Sequence, residues 1–248
     1  MSTPDYKPLH KSPFQKFEKK LLEKLMRPYV RWYTSRKRSY KWNQIRLQVN
    51  PGVFHPGLFF STKILLNYLK GIDFKGYKTL ELGAGSGIVS IYAASKGANV
   101  LSTDINPEAI ENIKENILLN TSLIRENTGF IAVVESDLFS HIEKNKFDYI
   151  LLNPPFYRGE IKKNSDYAWY CGLELNFFSS LFKNLENYIH DETLILMIIS
   201  EDAELQEIRK LADASHFDMN CIHTHKNILE TNFIFRIQSR NQSILISK

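Results

Sequence analysis

Apolar residues recur along most of the chain in short blocks whose spacing switches between continuous runs and a period near four, the signature of strands alternating with helices. Apolar runs at 78–82, 99–103, 130–135, 147–152 and 193–200 predict strands, and the segments 87–96, 107–119, 173–187 and 202–213 predict helices. A further helix runs to Lys70 with Ile64, Leu65, Tyr68 and Leu69 on one face, and Ser61 or Thr62 is its candidate cap. Two late strands, 217–224 and 231–238, have no helix between them and predict an antiparallel hairpin at one sheet edge. Before the core, Ile45, Leu47 and Val49 alternate with Arg46, Gln48 and Asn50, which predicts a strand closed by a Pro51-Gly52 turn. Earlier still, Phe17, Leu21 and Leu25 recur every fourth residue while lysines take the other faces. This predicts an amphipathic helix over 14–27, ended by Pro28. The expected class is α/β, a mostly parallel sheet with helices on both faces.

Composition narrows this little. The 248 residues, 43% hydrophobic and 24% charged, can bury one sizeable core and exclude a wholly disordered or fibrous chain. The longest aliphatic run, Leu194 to Ile199, is far below the roughly 18 residues needed to span a bilayer. No secretory pattern is present, and Cys171 and Cys221 lack metal-ligand spacing, so they read as buried thiols of a cytoplasmic protein. His223 and His225 can share a strand face, but no third ligand accompanies them and no metal site is expected.

Charge changes the picture more. Residues 1–50 hold 13 Lys/Arg against 3 Asp/Glu, whereas residues 51–248 hold 19 against 24. The chain therefore divides into a basic N-terminal extension, 1–50, and an acidic domain, 51–248. In the extension Tyr29, Trp32, Tyr33 and Tyr40 are interleaved with Arg31, Arg36, Lys37, Arg38 and Lys41. Cations that neutralise phosphates and rings that stack on unpaired bases suit RNA. The competing reading is that the apolar stripe of the helix packs on the core and leaves an ordinary solvated lysine face.

Candidate chemistry lies in the loops after the strands, where open parallel sheets bind ligands. After the first core strand comes Glu81-Leu82-Gly83-Ala84-Gly85-Ser86-Gly87. Its glycines allow a sharp turn and a close backbone approach to a ligand, and their spacing departs from the G-x-G-x-x-G of dinucleotide sites. Asp104 ends the second strand, 21 residues beyond Gly83, where a carboxylate can accept both hydroxyls of a ribose; Asn106 can then cap the next helix. After the third strand, Asp137 can accept the amino hydrogens of an adenine while Leu138 or Phe139 covers its face.

The fourth strand ends in Asn153-Pro154-Pro155-Phe156. Two prolines stop the strand and fix the peptide, presenting the Asn153 amide and the Pro154 carbonyl. A planar amino group is a poor nucleophile because its lone pair is delocalised. Two acceptors on its hydrogens hold the nitrogen in line with an electrophile and partly relocalise that pair. Phe156 can stack on a flat substrate. No general base is required, since the alkylated nitrogen loses its proton readily.

Residues 78–159 resemble a class I S-adenosylmethionine-dependent methyltransferase in four motifs: the Glu-x-Gly-x-Gly-x-Gly loop, an acid after each of the second and third strands, and the Asn-Pro-Pro-aromatic tetrapeptide. The resemblance implies a Rossmann-like seven-stranded sheet with an antiparallel last strand. It also implies that Glu81, Gly83, Gly85 and Gly87 surround the methionine part of S-adenosylmethionine, that Asp104 binds its ribose, and that Asp137 and Leu138 contact its adenine. Asn153, Pro154 and Phe156 would hold the acceptor, an adenine or guanine amino group or a glutamine side chain. Glutamine methyltransferases of release factors usually carry Tyr in the fourth position and a Pro-Arg-x-acid-Thr segment before the core. Here Phe156 and the Val53–Gly57 segment depart from that pattern, and Gly159 closely follows the tetrapeptide, as in small-domain RNA methyltransferases, whereas Ala168–Leu175, with Cys171-Gly172-Leu173-Glu174, is similar to the loop after the tetrapeptide in the glutamine enzymes. The favoured expectation is methylation of an RNA base recruited by the basic extension. The alternatives are glutamine methylation of a protein, and a non-catalytic RNA-binding protein of the same fold.

Overall fold

The computed structural model describes residues 30, 32–227 and 230–240, so the helix expected over 14–27 lies outside the described residues. The chain begins with a hairpin, β1 (Arg38–Trp42) and β2 (Ile45–Val49), followed by helix α1 (Phe60–Leu69). Then come β3 (Lys78–Leu82), α2 (Ile88–Ala94), β4 (Asn99–Asp104), α3 (Pro107–Leu119), α4 (Thr121–Glu126), β5 (Phe130–Glu135) and β6 (Phe147–Leu152). The last elements are α5 (Asn176–Leu185), β7 (Ile189–Ser200), α6 (Leu205–Ala214), β8 (Phe217–Lys226) and β9 (Thr231–Ser239).

Seven strands form one sheet in the order β5-β4-β3-β6-β7-β9-β8. β9 is antiparallel to both its neighbours and the other pairings are parallel, the Rossmann-like sheet with a reversed last strand that the motifs imply. Its two faces are both buried. Leu80, Leu82, Ile150, Leu152, Ile195 and Met197 face α5 and α6, while Val100, Leu151, Leu196, Ile198 and Ile234 face α1 and α2. The alternation within β6 and β7 follows from the two-residue period of a strand buried on both sides.

Several boundaries differ from the sequence expectation. α1 starts after Phe59 with no side-chain cap, because Ser61 and Thr62 are buried in its first turn. α5 starts at Asn176 rather than 173, since Leu175 adopts a left-handed backbone (φ 53°) that no helix continues through. α6 starts at Leu205 rather than 202, and β7 extends back to Ile189. The aromatic and basic segment 38–42 is a strand, with Trp42 buried.

Residues 38–49, part of the basic extension by composition, pack on the main domain: Trp42, Ile45, Leu47 and Val49 share a core with α1 and α2. The outer edge of β2 is paired by side chains rather than by a strand. Asn112 and Asn116 on α3 and Asn120 at its C-terminal cap, one helical turn apart, accept from the N–H groups of Asn50, Gln48 and Arg46 at 3.2, 2.8 and 3.0 Å. Their amide nitrogens donate back to the carbonyls of Gln48, Gln48 and Arg46 at 2.7, 3.0 and 2.7 Å. A primary amide carries the same donor and acceptor as a peptide group, so a ladder of three stands in for a neighbouring strand. Asn116 also donates to Ser86 O at 2.9 Å, which ties this ladder to the glycine loop. Asn116→Ala leaves Gln48 N–H and Ser86 C=O buried without this partner, and it is expected to lower unfolding free energy by about 2–3 kcal/mol in urea titrations. A loss below about 0.5 kcal/mol would contradict the ladder's structural weight.

Candidate active site

A cavity of about 360 Å³ opens over the carboxyl ends of β3, β4, β5 and β6, on both sides of the switch between β3 and β6 where chain order reverses across the sheet. Of the residues expected from the sequence, Glu81, Gly83, Gly85, Asp104, Asp137, Leu138, Asn153, Pro154 and Phe156 all line it.

Gly83 and Gly85 both have positive φ, 72° and 55°, so the turn requires them. A Cβ at Gly83 would meet nothing within 4 Å, and one at Gly85 would come only to the Cβ of Phe54 at 3.7 Å, so the missing side chains leave a cradle. Gly87 departs from the expectation. It is not part of the cavity wall; it is the left-handed residue (φ 77°) before α2, and a Cβ there would press on Ile113 of α3 at 3.2 Å. Its role is helix packing.

Two carboxylates stand behind the cradle. Asp104 accepts the Gly85 N–H at 2.8 Å on Oδ2 and the Asn106 N–H at 2.9 Å on Oδ1. Burial raises its pKa above the ordinary value, opposed by these N–H groups. Asn106 accepts from Glu108 N–H at 3.1 Å, so it caps α3 and leaves Asp104 to the loop. Glu81 is buried and accepts the Ser90 N–H at 2.7 Å and the Ser90 hydroxyl. Burial pushes its carboxyl up to about 8, against the Ser90 hydrogen bonds and with help from the Asp104 charge. Asp137, by contrast, is exposed at the rim, with Leu138 buried beside it.

On the other side of the switch, Asn153 donates from Nδ2 to the Thr62 hydroxyl at 3.1 Å, leaving Oδ1 as its remaining acceptor. Phe156 packs on the core below and against Tyr157, with ring centroids 4.7 Å apart. The segment that follows folds back on itself: Tyr157 N–H donates to Trp169 O at 3.1 Å and Cys171 N–H donates to Tyr157 O at 2.9 Å. Arg158 closes this loop with two bonds to the Glu204 carboxylate, at 2.6 and 2.8 Å, and one to Leu173 O at 2.6 Å. Gly159 lies under Tyr170, where a Cβ would collide with the ring at 2.3 Å.

Other wall residues carry no periodic or motif signal. Phe54, Phe59 and Trp169 form an aromatic corner: the first two stack at 4.9 Å, and Trp169 meets Phe59 edge-on at 4.9 Å. Thr62, expected as a cap, instead orients Asn153. Glu230, just before β9, and Asn232 in it complete the far wall. His55 lies behind the cavity, buried between the rings of Tyr33 and Tyr40 at 5.4 and 5.7 Å, with Nδ1 accepting the Gly57 N–H. Burial lowers its pKa. Cys171 is a buried cavity-wall thiol, pushed up to about 11 by burial, and Cys221 is buried in the core.

The family model that matches the chain, over residues 44–170, is the methyltransferase small domain. The chain belongs to the methyltransferase small domain family. Among relatives of this family, it is 41% identical over 113 residues to the "Putative protein N5-glutamine methyltransferase" of Methanocaldococcus jannaschii, covering 45% of this chain and 51% of that protein. It is 38% identical over 112 residues to the ribosomal protein L11 methyltransferase of Thermosipho africanus (44% and 40%). Over 153 residues it is 32% identical to the ribosomal RNA small subunit methyltransferase C of Buchnera aphidicola subsp. Cinara cedri (60% and 38%). The matches thus span about half or less of these relatives' lengths. The fold of the small domain recurs in the 16S rRNA N2 G1207 methyltransferase of T. thermophilus, solved with AdoMet and guanosine (TM-score 0.55, 16% identity, 83% of this chain and 50% of that chain). It recurs also in the ribosomal protein L11 methylase of Lactobacillus delbrueckii subsp. bulgaricus (TM-score 0.56, 20% identity, 77% and 83%).

The titration of Glu81 has a testable consequence. Its folded pKa of about 8 lies above the ordinary 4.5, so between those values the folded chain keeps a proton that the unfolded chain has released. Stability therefore falls as pH rises through that window. Glu81→Gln accepts the same Ser90 bonds without ionising, and relative to the parent it is expected to gain urea resistance from about pH 5 to about pH 9. Parallel stability curves for the two proteins would contradict the assignment.

Proposed function

We propose that this chain is an S-adenosylmethionine-dependent N-methyltransferase whose acceptor is a planar amino nitrogen, with an RNA base favoured. The observation that carries this reading is the placement of the Asn153 amide, anchored through Thr62, in the same cavity as the Gly83/Gly85 cradle and Asp104.

The residues present fit the cofactor. Gly83 and Gly85 leave backbone exposed where a ligand can lie against it; Asp104 offers carboxylate oxygens to ribose hydroxyls, and Asp137 and Leu138 line the wall where an adenine would sit. When bound, the cofactor supplies an electrophilic methyl group on a sulfonium. The Asp104 carboxylate in the cavity wall favours a cationic ligand there. The chain's remaining work is to orient the nucleophile. Asn153 Oδ1 and the Pro154 carbonyl accept the two amino hydrogens, aim the nitrogen lone pair, and stabilise the positive charge that grows on it. Phe156 and the aromatic corner give a flat acceptor ring faces to lie against. Rigid closure of the loop by Arg158 and Glu204 keeps these groups in register.

RNA is supported by the hairpin, although less directly than composition suggests. Lys37 is paired with Glu115 at 2.8 Å and Arg38 lies over Tyr33 at 4.4 Å, so neither is simply a phosphate contact in waiting. Tyr33 and Tyr40 pack on His55, and Tyr29 lies outside the described residues. Arg36, Lys41 and Arg46 are exposed and make no ion pair among the described residues, and Trp32 is 55% exposed. These four residues are the proposed contacts for phosphate and an unpaired base. Similarity to a glutamine methyltransferase supports the second reading, a protein carboxamide acceptor.

Labelled methyl donor supplied separately to cell RNA and cell protein tests the proposal. Label is expected in RNA, and Asn153→Ala is expected to reduce transfer by at least about a hundredfold, the scale of losing a preorganised charge-stabilising group. Label in protein alone would favour the carboxamide reading, and label in neither would contradict methyl transfer.

A further inference from the structure

Asn232, second residue of β9, is 1% exposed, lies in the cavity wall, and has a carbonyl oxygen, Oδ1, with no hydrogen-bond partner among the described residues. A buried acceptor left without a donor is costly, and it is an atom for which a ligand can supply the missing partner. Its orientation is fixed by its neighbour. Asn232 Nδ2 donates to Glu230 Oε1 at 3.0 Å, and a carboxylate only accepts, so the amide is held with Nδ2 on Glu230 and Oδ1 as its unpartnered atom.

Its position is at the acceptor end. Asn232 pairs with Ser200 of β7, and β7 pairs with β6, whose end carries Asn153; Gly83, Asp104 and Asp137 follow β3, β4 and β5 on the other side of the switch. Asn153 is two residues beyond Leu151 and Asn232 two before Ile234, and both of those face α1 and α2, so both asparagines belong to that face of the sheet. Two strand spacings, about 10 Å, separate the strands that carry them. Both side chains border the one cavity, so both can meet one edge of a ring held there.

We propose that Asn232, oriented by Glu230, is a specificity-determining acceptor that selects an amino group flanked by a ring N–H, the edge that guanine presents, over one flanked by a ring acceptor, the edge that adenine presents. The inference rests on the methyltransferase reading above and sharpens it. Guanine has its amino group next to the N1–H donor. Adenine has N1 as an acceptor in the corresponding place, and a carboxamide has its own carbonyl. Against either of the last two, Asn232 Oδ1 opposes lone pair to lone pair, and the Glu230 bond prevents the flip that would relieve it. Sites built around a hydrogen bond reject a ligand lacking the matching donor far more strongly than sites built on shape.

The test is to methylate cell RNA with labelled donor, digest it to nucleosides, and identify the labelled one. N2-methylguanosine is expected. N6-methyladenosine would overturn this inference while leaving methyl transfer standing, and label in protein alone or in neither fraction would overturn both. On the RNA so identified, Asn232→Leu is expected to lower kcat/KM by at least about tenfold with the affinity for S-adenosylhomocysteine unchanged. Glu230→Gln, which frees the amide to turn, is expected to cause a smaller loss and to raise methylation of an adenine-substituted RNA relative to the guanine form. It also serves where Asn232→Leu fails to fold. Unchanged kcat/KM in a folded Asn232→Leu protein, or an unchanged guanine-to-adenine ratio in Glu230→Gln, would overturn the proposal.

Discussion

The Asp104 carboxylate, bridging the Gly85 and Asn106 N–H groups, is the constraint from which the architecture of the cavity follows. One oxygen holds the glycine loop, and the other holds the residue that caps α3. The helix placed in this way carries the ladder of Asn112, Asn116 and Asn120, which receives β2. β2 leads through Pro51 and Gly52 to Phe54, whose Cβ lies over Gly85. A single acid thus links the bottom of the cradle to its roof through a helix and a hairpin. Glu81 reinforces the same region through Ser90, and mutual repulsion between the two acids contributes to the raised pKa of Glu81.

Strand order divides the cavity by chemistry. Over β3, β4 and β5 it is glycine backbone and carboxylates, suited to a cationic, hydroxyl-bearing ligand. Over β6 and β9 it is amide groups, aromatic rings and the Glu230 carboxylate, suited to a flat acceptor. Arg158 and Glu204 hold the loop between those strands at its exposed margin, where solvent screens the pair, so its contribution is geometry more than stability. Family membership is consistent with this division, and the acceptor is where members named as acting on proteins and on RNA differ.

Much of this was legible in the sequence because it depends on local pattern. Strands β3, β5 and β6 and helix α3 coincide with their expected ranges, since apolar period and Pro107 at the start of α3 leave little choice. The loops at strand ends were legible because glycines, acids and the Asn-Pro-Pro turn stand immediately after those strands. What was not legible depends on long-range partners. Thr62 reads as a helix cap until Asn153, 91 residues away, uses it. Asn112, Asn116 and Asn120 read as ordinary polar positions of a helix and its end until β2 lies against them. Trp169 and Asn232 belong to segments whose pattern marks only a loop and a strand edge. Gly87 follows the motif's spacing, yet packing against Ile113 accounts for it.

The central claim, that the glycine loop and Asp104 form a cofactor cradle, is tested most directly by calorimetric titration of the full chain with S-adenosylhomocysteine. The account predicts a single site of micromolar affinity, lost in a folded Asp104→Ala protein because the loop, the cap of α3 and the ribose acceptor depend on that carboxylate. Absence of binding, or equal binding by the Asp104→Ala protein, would contradict it.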